Sequence, residues 1–583
     1  MKAIKNILSI CSVALLLGSC QADLLETKPY GNVAAGNMWT SENFADKGVT
    51  AIYSTLRKSY VGLGLYQMDC LGVSTDCRDA DYPIMRNTIT TSNGMFSSYW
   101  SEHYSGISRA NDAIVHLPEV DMPENKKARY MAEAKVLRAY FYYKLNIMYK
   151  GVPVYLEPVE ASECTKGQET EAAVWQVIED DLTAAINEPN LPNIYTEGSS
   201  DYGRVTKGLA YALRGKAYLY QKEYAKAAAD FEAVSQCGFG LFEGDYKQLF
   251  KEANEQSKEM IFSVQCIGLD GLGNDISFRY GTRSSFGSCW NTYLVNADFV
   301  ETYENADGSK FNWNDYIPGY NEMEPAARAV FFLRDGLTDA EKEAMKTAGA
   351  DMSKYLPEGN EARIKAAYAN RDPRLTASII TPYSTYDGAN GSNEYTYTLR
   401  WPFRAGDVSE PFDLKTDTNN RFYYLYRKFV AEGASEIPNR SYSPIDVPLI
   451  RYADILLNLA ECYNELNQED KAIACVNQVR ERAGAALLNS NDATTVKGQD
   501  DLRERIRNER RWEFAGEGVN FFDEMRWKTL HESKFFEGAG LKQIWGTIQY
   551  SYSWAGDYIY NWAVPKSEIQ MNENLKQNEG WID

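Results

Sequence analysis

Residues 451–483 read RYADILLNLAECYNELNQEDKAIACVNQVRERA, and they decide the fold class. Tyr452, Ile455, Leu456, Leu459, Ala460 and Tyr463 recur at steps of three and four. That spacing places all of them on one face of an α-helix. After the polar turn 464–468, Ala472, Val476, Val479 and Ala483 repeat the pattern. Two amphipathic helices joined by so short a turn pack antiparallel, as an αα-hairpin. Small Ala460 and Ala472 let the two axes approach, and Gly484 closes the unit.

Outward from this hairpin, 205–236 gives another, LAYALRGKAYLYQKEYAKAAADFEAVSQ at its centre. Its Gly215, Tyr218, Tyr224, Ala227 and Phe231 match the spacing of the tetratricopeptide repeat, and Ala460, Tyr463, Ala472 and Val476 fall at corresponding offsets. Repeats of this kind stack and bury a continuous core between neighbours. Helical periodicity also covers 44–60 with Ser41 as N-cap, 99–117, 126–149 and 170–187. It returns at 500–527, broken near Gly516–Gly518. From Gly238 to Pro448 the period fails. Gly, Asn, Asp and Ser are frequent there, with β-like runs at 260–265, 395–401 and 421–430 and one helical piece at 339–348. The tail reads as a short strand followed by an irregular terminus. The expected fold is mainly α: tetratricopeptide-like helical hairpins (41–237 and 449–583) packed with an irregular, loop-rich lobe containing short β-strands (238–448). Residues 41–583 are expected to form one unit.

The net charge of −20 argues against nucleic acid, whose phosphates require a basic surface. Tyrosine is abundant, at 41 residues, beside 12 Trp and 23 Phe. So many rings supply core, and rigid platforms for a ligand as well. The three His are far apart, and no HExxH, CxxC, GxSxG or phosphate-cradling loop occurs. Glu504, Glu509 and Glu513 share a helix, but arginines alternate with them, so an ion-paired helix is expected rather than a catalytic acid pair. Cys462 and Cys475 read as small buried residues, whereas Cys70 and Cys77 are close enough in sequence to bridge.

Residues 1–19 read as a signal peptide: Lys2 and Lys5, then an apolar run to Leu17 that is too short to span a bilayer. It ends Leu17-Gly18-Ser19-Cys20, which resembles a bacterial lipobox with Cys20 as the lipidated residue; 20–40 then forms a tether. Acyl chains on Cys20 would hold the protein to a membrane.

The long loop 70–98 lacks periodicity, and long loops in compact domains are usually functional. Within it, Asp76, Arg78, Asp81 and Tyr82 are candidate ligand contacts: Arg beside Asp suits vicinal hydroxyls, and Tyr82 suits stacking on a ring. Trp290 and Tyr293 are the candidates in the second lobe, with core packing as the open alternative for both. The 75–82 cluster has oxygens enough to hold a structural Ca²⁺ but lacks the spacing of a known Ca²⁺ loop, so a solvated or sugar-binding loop is expected instead. No other cofactor and no enzyme activity are expected.

Five phrases in order, at 132–151 (AEAKVLRAYFYYKLNIMYKG), 371–375 (RDPRL), 451–461 (RYADILLNLAE), 506–527 (IRNERRWEFAGEGVNFFDEMRW) and 565–581, together with the lipobox, resemble the SusD/RagB family of outer-membrane nutrient-binding lipoproteins. The resemblance implies display on the exterior of a Gram-negative outer membrane. It also implies capture of oligosaccharides, or peptides in some branches, and a SusC-like TonB-dependent transporter as partner. A repeat scaffold serving only protein assembly is the alternative from another class.

Overall fold

The computed structural model describes residues 38–79, 82–405, 408–416 and 421–582. The signal peptide, Cys20, most of the tether and Asp81 lie outside the described residues.

The helical array runs through α1 (Glu42–Ser54), α2 (Gly94–His116), α3 (Glu124–Tyr149), α4 (Glu171–Ile186), α5 (Lys207–Tyr220) and α6 (Tyr224–Gln236). It resumes with α7 (Tyr452–Glu465), α8 (Glu469–Ala483), α9 (Gln499–Glu513) and α10 (Asn520–Trp527). Threonines start α4 and α5: Thr170 Oγ1 accepts from Ala173 N at 3.1 Å and Thr206 Oγ1 from Leu209 N at 3.1 Å. Each helix from α2 to α6 packs on the next, α7 then packs on α6, and α8 and α9 pack on α7. The two hairpins are therefore consecutive in the stack although the whole irregular lobe separates them in sequence. Gly215 sets the α5–α6 distance, since a Cβ there would lie 2.6 Å from the Phe231 ring.

Helix α7 departs from the amphipathic expectation. Every residue from Tyr452 to Asn464 is buried, the polar ones included. Asp454 receives Lys216 Nζ at 2.5 Å and Arg510 Nη2 at 2.7 Å, Glu461 receives Arg526 Nη2 at 2.8 Å, and the Tyr463 hydroxyl donates to Glu232 of α6. The face that the sequence assigns to water meets ionic partners on α5, α9 and α10 instead.

The same holds on a larger scale behind the hairpin. Arg374, fully buried, reaches Asp372 at 2.7 Å and Glu509 at 2.6 Å. Arg451 engages Glu517 at 2.7 Å and Glu513 at 3.1 Å as well as Glu259. Arg480 joins Glu509 at 3.0 Å and Glu304, and Arg482 joins Glu259 at 2.7 Å and Glu513. Phrases 371–375, 451–461 and 506–527 thus meet in one buried ion network. Of the arginines alternating along α9, Arg503, Arg510 and Arg511 pair across elements, whereas Arg505 and Arg507 pair within the helix with Asp501 and Glu504; buried charges require such pairing.

The lobe leaves and re-enters the array through one antiparallel pair. Before it comes β1 (Thr75–Cys77); then β2 (Met260–Val264) opens the lobe, followed by β3 (Tyr293–Val295), β4 (Thr385–Asn390), β5 (Asn393–Thr398) and β6 (Val447–Arg451), which ends it. β2 pairs with β6 from Met260↔Arg451 to Val264↔Val447. β4 pairs with β5, and β1 with β3. The helix at Asp339–Thr347 appears as expected, but Asn360–Ala369 and Pro373–Ser378 are also helical, and within 421–430 only Leu425–Tyr426 is strand. The tail is not a strand. It forms a turn at Asp557–Tyr560 and a helix at Lys566–Met571. Its backbone is satisfied by the end of α3, with Trp562 N on Met148 O at 2.8 Å, so Trp562, Ala563 and Val564 are buried without a strand partner. Cys70, Cys77, Cys462 and Cys475 are buried, and no disulfide joins them.

Candidate functional site

Two loops far apart in sequence meet through β1 and β3. The register is Thr75↔Val295, Asp76↔Leu294 and Cys77↔Tyr293, extended by Arg78 N on Thr292 O at 2.9 Å. The ladder brings Asp76, Arg78 and Tyr82 beside the candidates at 290–293. It also fixes which of them face solvent.

Asp76 does not. It is 0% exposed, and Oδ1 receives Lys534 Nζ at 2.7 Å and the Tyr552 hydroxyl at 2.6 Å, while Asn296 Nδ2 lies 3.1 Å from both oxygens. This acid anchors the ladder to the C-terminal segment. It is corrected from ligand contact to structural group. An ammonium already occupies its oxygens, so it does not suit Ca²⁺. The expectation that 70–98 is a surface loop fails over its first part, where residues 70–77 are all buried, while residues 79, 86–88, 90 and 92 are exposed.

Tyr293 is also core, at 6% exposed. Its ring packs edge-on against Tyr66 and Tyr280, and its hydroxyl donates to Gln67 Oε1 at 3.2 Å. Burial pushes the Tyr293 and Tyr82 hydroxyls far above the usual tyrosine range. Tyr82 is half-buried. Its hydroxyl lies 3.4 Å from that of Tyr293, over a small cavity lined by Cys70, Cys77, Met85, Tyr550 and Tyr552. Most other rings of the lobe are interior too: Tyr280, Trp313, Tyr320 and Trp401 are buried.

Trp290 is the exception, at 42% exposed. Its presentation is built from several directions. Trp290 N donates to Phe278 O at 3.0 Å, and the Phe278 ring supports the indole at 4.8 Å between centroids. Asn291 N donates to Gly281 O at 2.6 Å, and Arg440 Nη1 donates to Gly287 O at 2.6 Å and Ser288 O at 2.7 Å. Ser288 and Asn291 hold positive φ of 58° and 38°, a conformation uncommon for residues with a side chain. Strain retained by so many bonds is the mark of a preorganised loop.

Arg78 joins the two loops. Nη1 donates to Trp290 O at 2.5 Å and to Asn291 Oδ1 at 3.3 Å; Nε and Nη2 fork onto Asp79 at 2.9 and 3.2 Å. Of the five N–H groups of a guanidinium, one remains for a ligand. Asp79, with its side chain 49% exposed, keeps acceptor capacity beyond Arg78. The solvent-facing set is therefore Trp290, Arg78 and Asp79, with Tyr82 half-buried at its inner edge. Sequence reasoning passed over Phe278, Arg440 and the leading role of Asp79. Arg440 carries no local signal, since it meets the loop only through the fold.

By contrast, the cleft on the helical side between Tyr220, Tyr224, Arg503, Arg507 and Trp527 has its charges paired internally, Arg503 with Glu465 at 2.6 Å and Arg507 with Glu504 at 2.6 Å.

The sequence model of the SusD family matches residues 258–581. The chain belongs to the SusD family. A second model, described as starch-binding and associating with the outer membrane, matches residues 25–219. A SusD-like protein of Formosa agariphila is 25% identical over 543 residues, covering 90% of this chain and 92% of its own length. A SusD-like protein of Bacteroides fragilis superposes with a TM-score of 0.73 at 23% identity, over 95% of this chain and all of that one. A SusD-like protein described as laminarin-binding superposes with a TM-score of 0.60 at 24% identity, over 93% of this chain and all of that one. The SusD fold thus accounts for the mainly α architecture and for the irregular lobe.

Proposed function

We propose that this chain is a lipoprotein anchored through Cys20 on the exterior of a Gram-negative outer membrane, where it captures an oligosaccharide or polysaccharide and hands it to a SusC-like TonB-dependent transporter. The observation that carries the reading is the Trp290–Arg78–Asp79 face. An exposed indole in a locked loop offers a flat apolar surface to a sugar ring, and a guanidinium and carboxylate beside it suit hydroxyls. Tyr82 and Asp81 belong to the same loop, and Asp81 joins the proposed contacts on sequence grounds alone. The reading is one of binding without catalysis. The matching model described as starch-binding and the laminarin-binding neighbour support the ligand class, and the lipobox supports the anchor.

Affinity electrophoresis across a polysaccharide panel tests the reading. At least one glycan should retard the protein, Trp290→Ala should weaken that retardation by tenfold or more, about 1.4 kcal/mol, and purified protein should release no reducing sugar. Binding to peptides alone would replace the glycan with the peptide reading. A Trp290→Ala protein whose affinities are all unchanged would favour a protein-assembly scaffold. For the anchor, Cys20→Ala should move the protein from the membrane fraction to the soluble one.

A further inference from the structure

The rings of Phe278 and Trp290 sit among arginines, in a chain with 81 acidic and 61 basic residues. Arg440 Cζ lies 4.7 Å from the Phe278 centroid and Arg279 Cζ 5.4 Å from it. Arg78 holds the carbonyl of Trp290, and Arg283 belongs to the same loop. Two of these four cations are neutralised. Arg78 pairs with Asp79 at 2.9 Å and Arg279 with Asp275 at 2.9 Å. The other two are not. Among the described residues, Arg440 meets only the carbonyls of Gly287 and Ser288 and the Phe278 ring, with no carboxylate, and Arg283 has no hydrogen bond or ion pair. Both charges act on one atom: burial pushes the Cys289 thiol up to about 12, while the Arg440 and Arg283 guanidiniums pull against it. Arg440 lies against the Phe278 ring that supports the exposed indole, and Arg283 belongs to the same loop, seven residues before Trp290.

Resting on the glycan reading above, we infer that the Trp290 face takes an acidic glycan, one bearing carboxylate or sulfate groups, in preference to a neutral one. A sugar ring stacked on the indole brings its acidic substituent to uncompensated guanidiniums. These form charge-assisted, often bidentate, hydrogen bonds with carboxylate and with sulfate oxygens alike. A neutral chain gains nothing from that charge. The protein as a whole, at −20, repels a polyanion, so attraction to one has to be local.

The test is affinity electrophoresis of the full-length protein in polygalacturonate, in chondroitin sulfate, and in neutral dextran and laminarin, each at low and high NaCl. Binding to an acidic polymer at least tenfold tighter than to either neutral one, weakened severalfold by salt and by Arg283→Gln but restored by Arg283→Lys, is the expected result. Comparing the polygalacturonate and chondroitin sulfate arms tells carboxylate from sulfate. Neutral-glycan binding that Trp290→Ala abolishes and Arg283→Gln leaves intact would overturn the acidic preference and keep the glycan reading. Absence of binding in every arm, with the protein folded by circular dichroism, would overturn both.

Discussion

Arg374→Ala should unfold this protein more readily than any surface change of equal size. The Arg374 side chain is fully buried; Nε and Nη2 fork onto Asp372 at 3.1 and 2.7 Å, and Nη1 reaches Glu509 at 2.6 Å and Glu513 at 3.4 Å. Removing it does not orphan all three acids equally. Glu509 keeps Arg480 at 3.0 Å, and Glu513 keeps Arg451 at 3.1 Å and Arg482. Asp372 keeps only the backbone N–H of residue 374, at 2.9 Å, as a hydrogen-bond partner. Leaving one buried carboxylate without its cation costs about 3–5 kcal/mol, a large part of a typical total of about 5–15 kcal/mol. Trp512 provides the probe, because its ring lies 5.9 Å from the Arg374 guanidinium. Intrinsic fluorescence, to which Trp512 contributes as one of 12 Trp, should report through a urea titration a midpoint lower by about 1 M. Lys342→Ala is the control: Lys342 and Asp339 pair at 3.1 Å with side chains 42% and 100% exposed, and its loss should shift the midpoint little, as for most exposed pairs. Pairing the change with Asp372→Ala should recover part of the loss, since the uncompensated charge is then gone. An Arg374→Ala midpoint within about 0.2 M of the parent would refute the reasoning that this network is held by mutual neutralisation.

Gly215→Ala should destabilise by about 1–2 kcal/mol, because the added Cβ meets Phe231 at 2.6 Å, whereas Gly94→Ala, with open space around it, should be neutral or stabilising in thermal melts; a more stable G215A protein would show that α5 and α6 are not in close contact. Acid sensitivity should come from Glu513: burial raises its pKa, but Arg482, Arg451 and Arg374 overcome it and hold it at about 2. A depressed carboxylate contributes stability above its unfolded value near 4.5, lost as pH falls toward 2, so Glu513→Gln should lower the Tm at pH 7 and flatten the Tm–pH curve on that acid arm; an equally steep arm in the variant would reject the assignment. Asp446 has the opposite sign: burial first, then Glu255, push it to about 8, so its contribution is present below pH 4 and lost as pH rises through 8. Asp446→Asn should therefore gain Tm relative to the parent at pH 8 more than at pH 5, and equal gains at both would exclude the titration.

The sequence disclosed the elements that follow a period. The α7–α8 hairpin, its partner at 205–236 and the break at Gly516–Gly518 all stand as read, because helical spacing is local information. What it hid was the destination of the polar positions. Asp454, Glu461, Glu509 and Arg510 look like a solvated face by pattern, since periodicity ranks residues by polarity and cannot see that cations on another element will meet them. The site was legible in the same partial way. Loop 70–98 and the aromatic lobe stood out by their lack of period, and of the candidates drawn from them Trp290 is 42% exposed while the Arg78 side chain is 16% exposed. Asp76 and Tyr293 are not at the surface, because every residue of β1 and β3 is buried, and two short strands some 220 residues apart in sequence announce no register. Arg440 reaches Gly287 and Ser288 by the fold alone.

The seam between α6 and α7 has a consequence for biosynthesis. The surface of α6 that meets α7, where Glu232 accepts from the Tyr463 hydroxyl, is completed only when α7 arrives, and the entire lobe emerges in between. At the pace of translation, about 5–20 residues per second, the interval is on the order of tens of seconds. Throughout it the nascent protein bears an unfinished apolar edge of the kind to which chaperones bind. A chain truncated anywhere within the lobe keeps that edge permanently, so incomplete copies are marked for holding or degradation before any ligand loop has been tested.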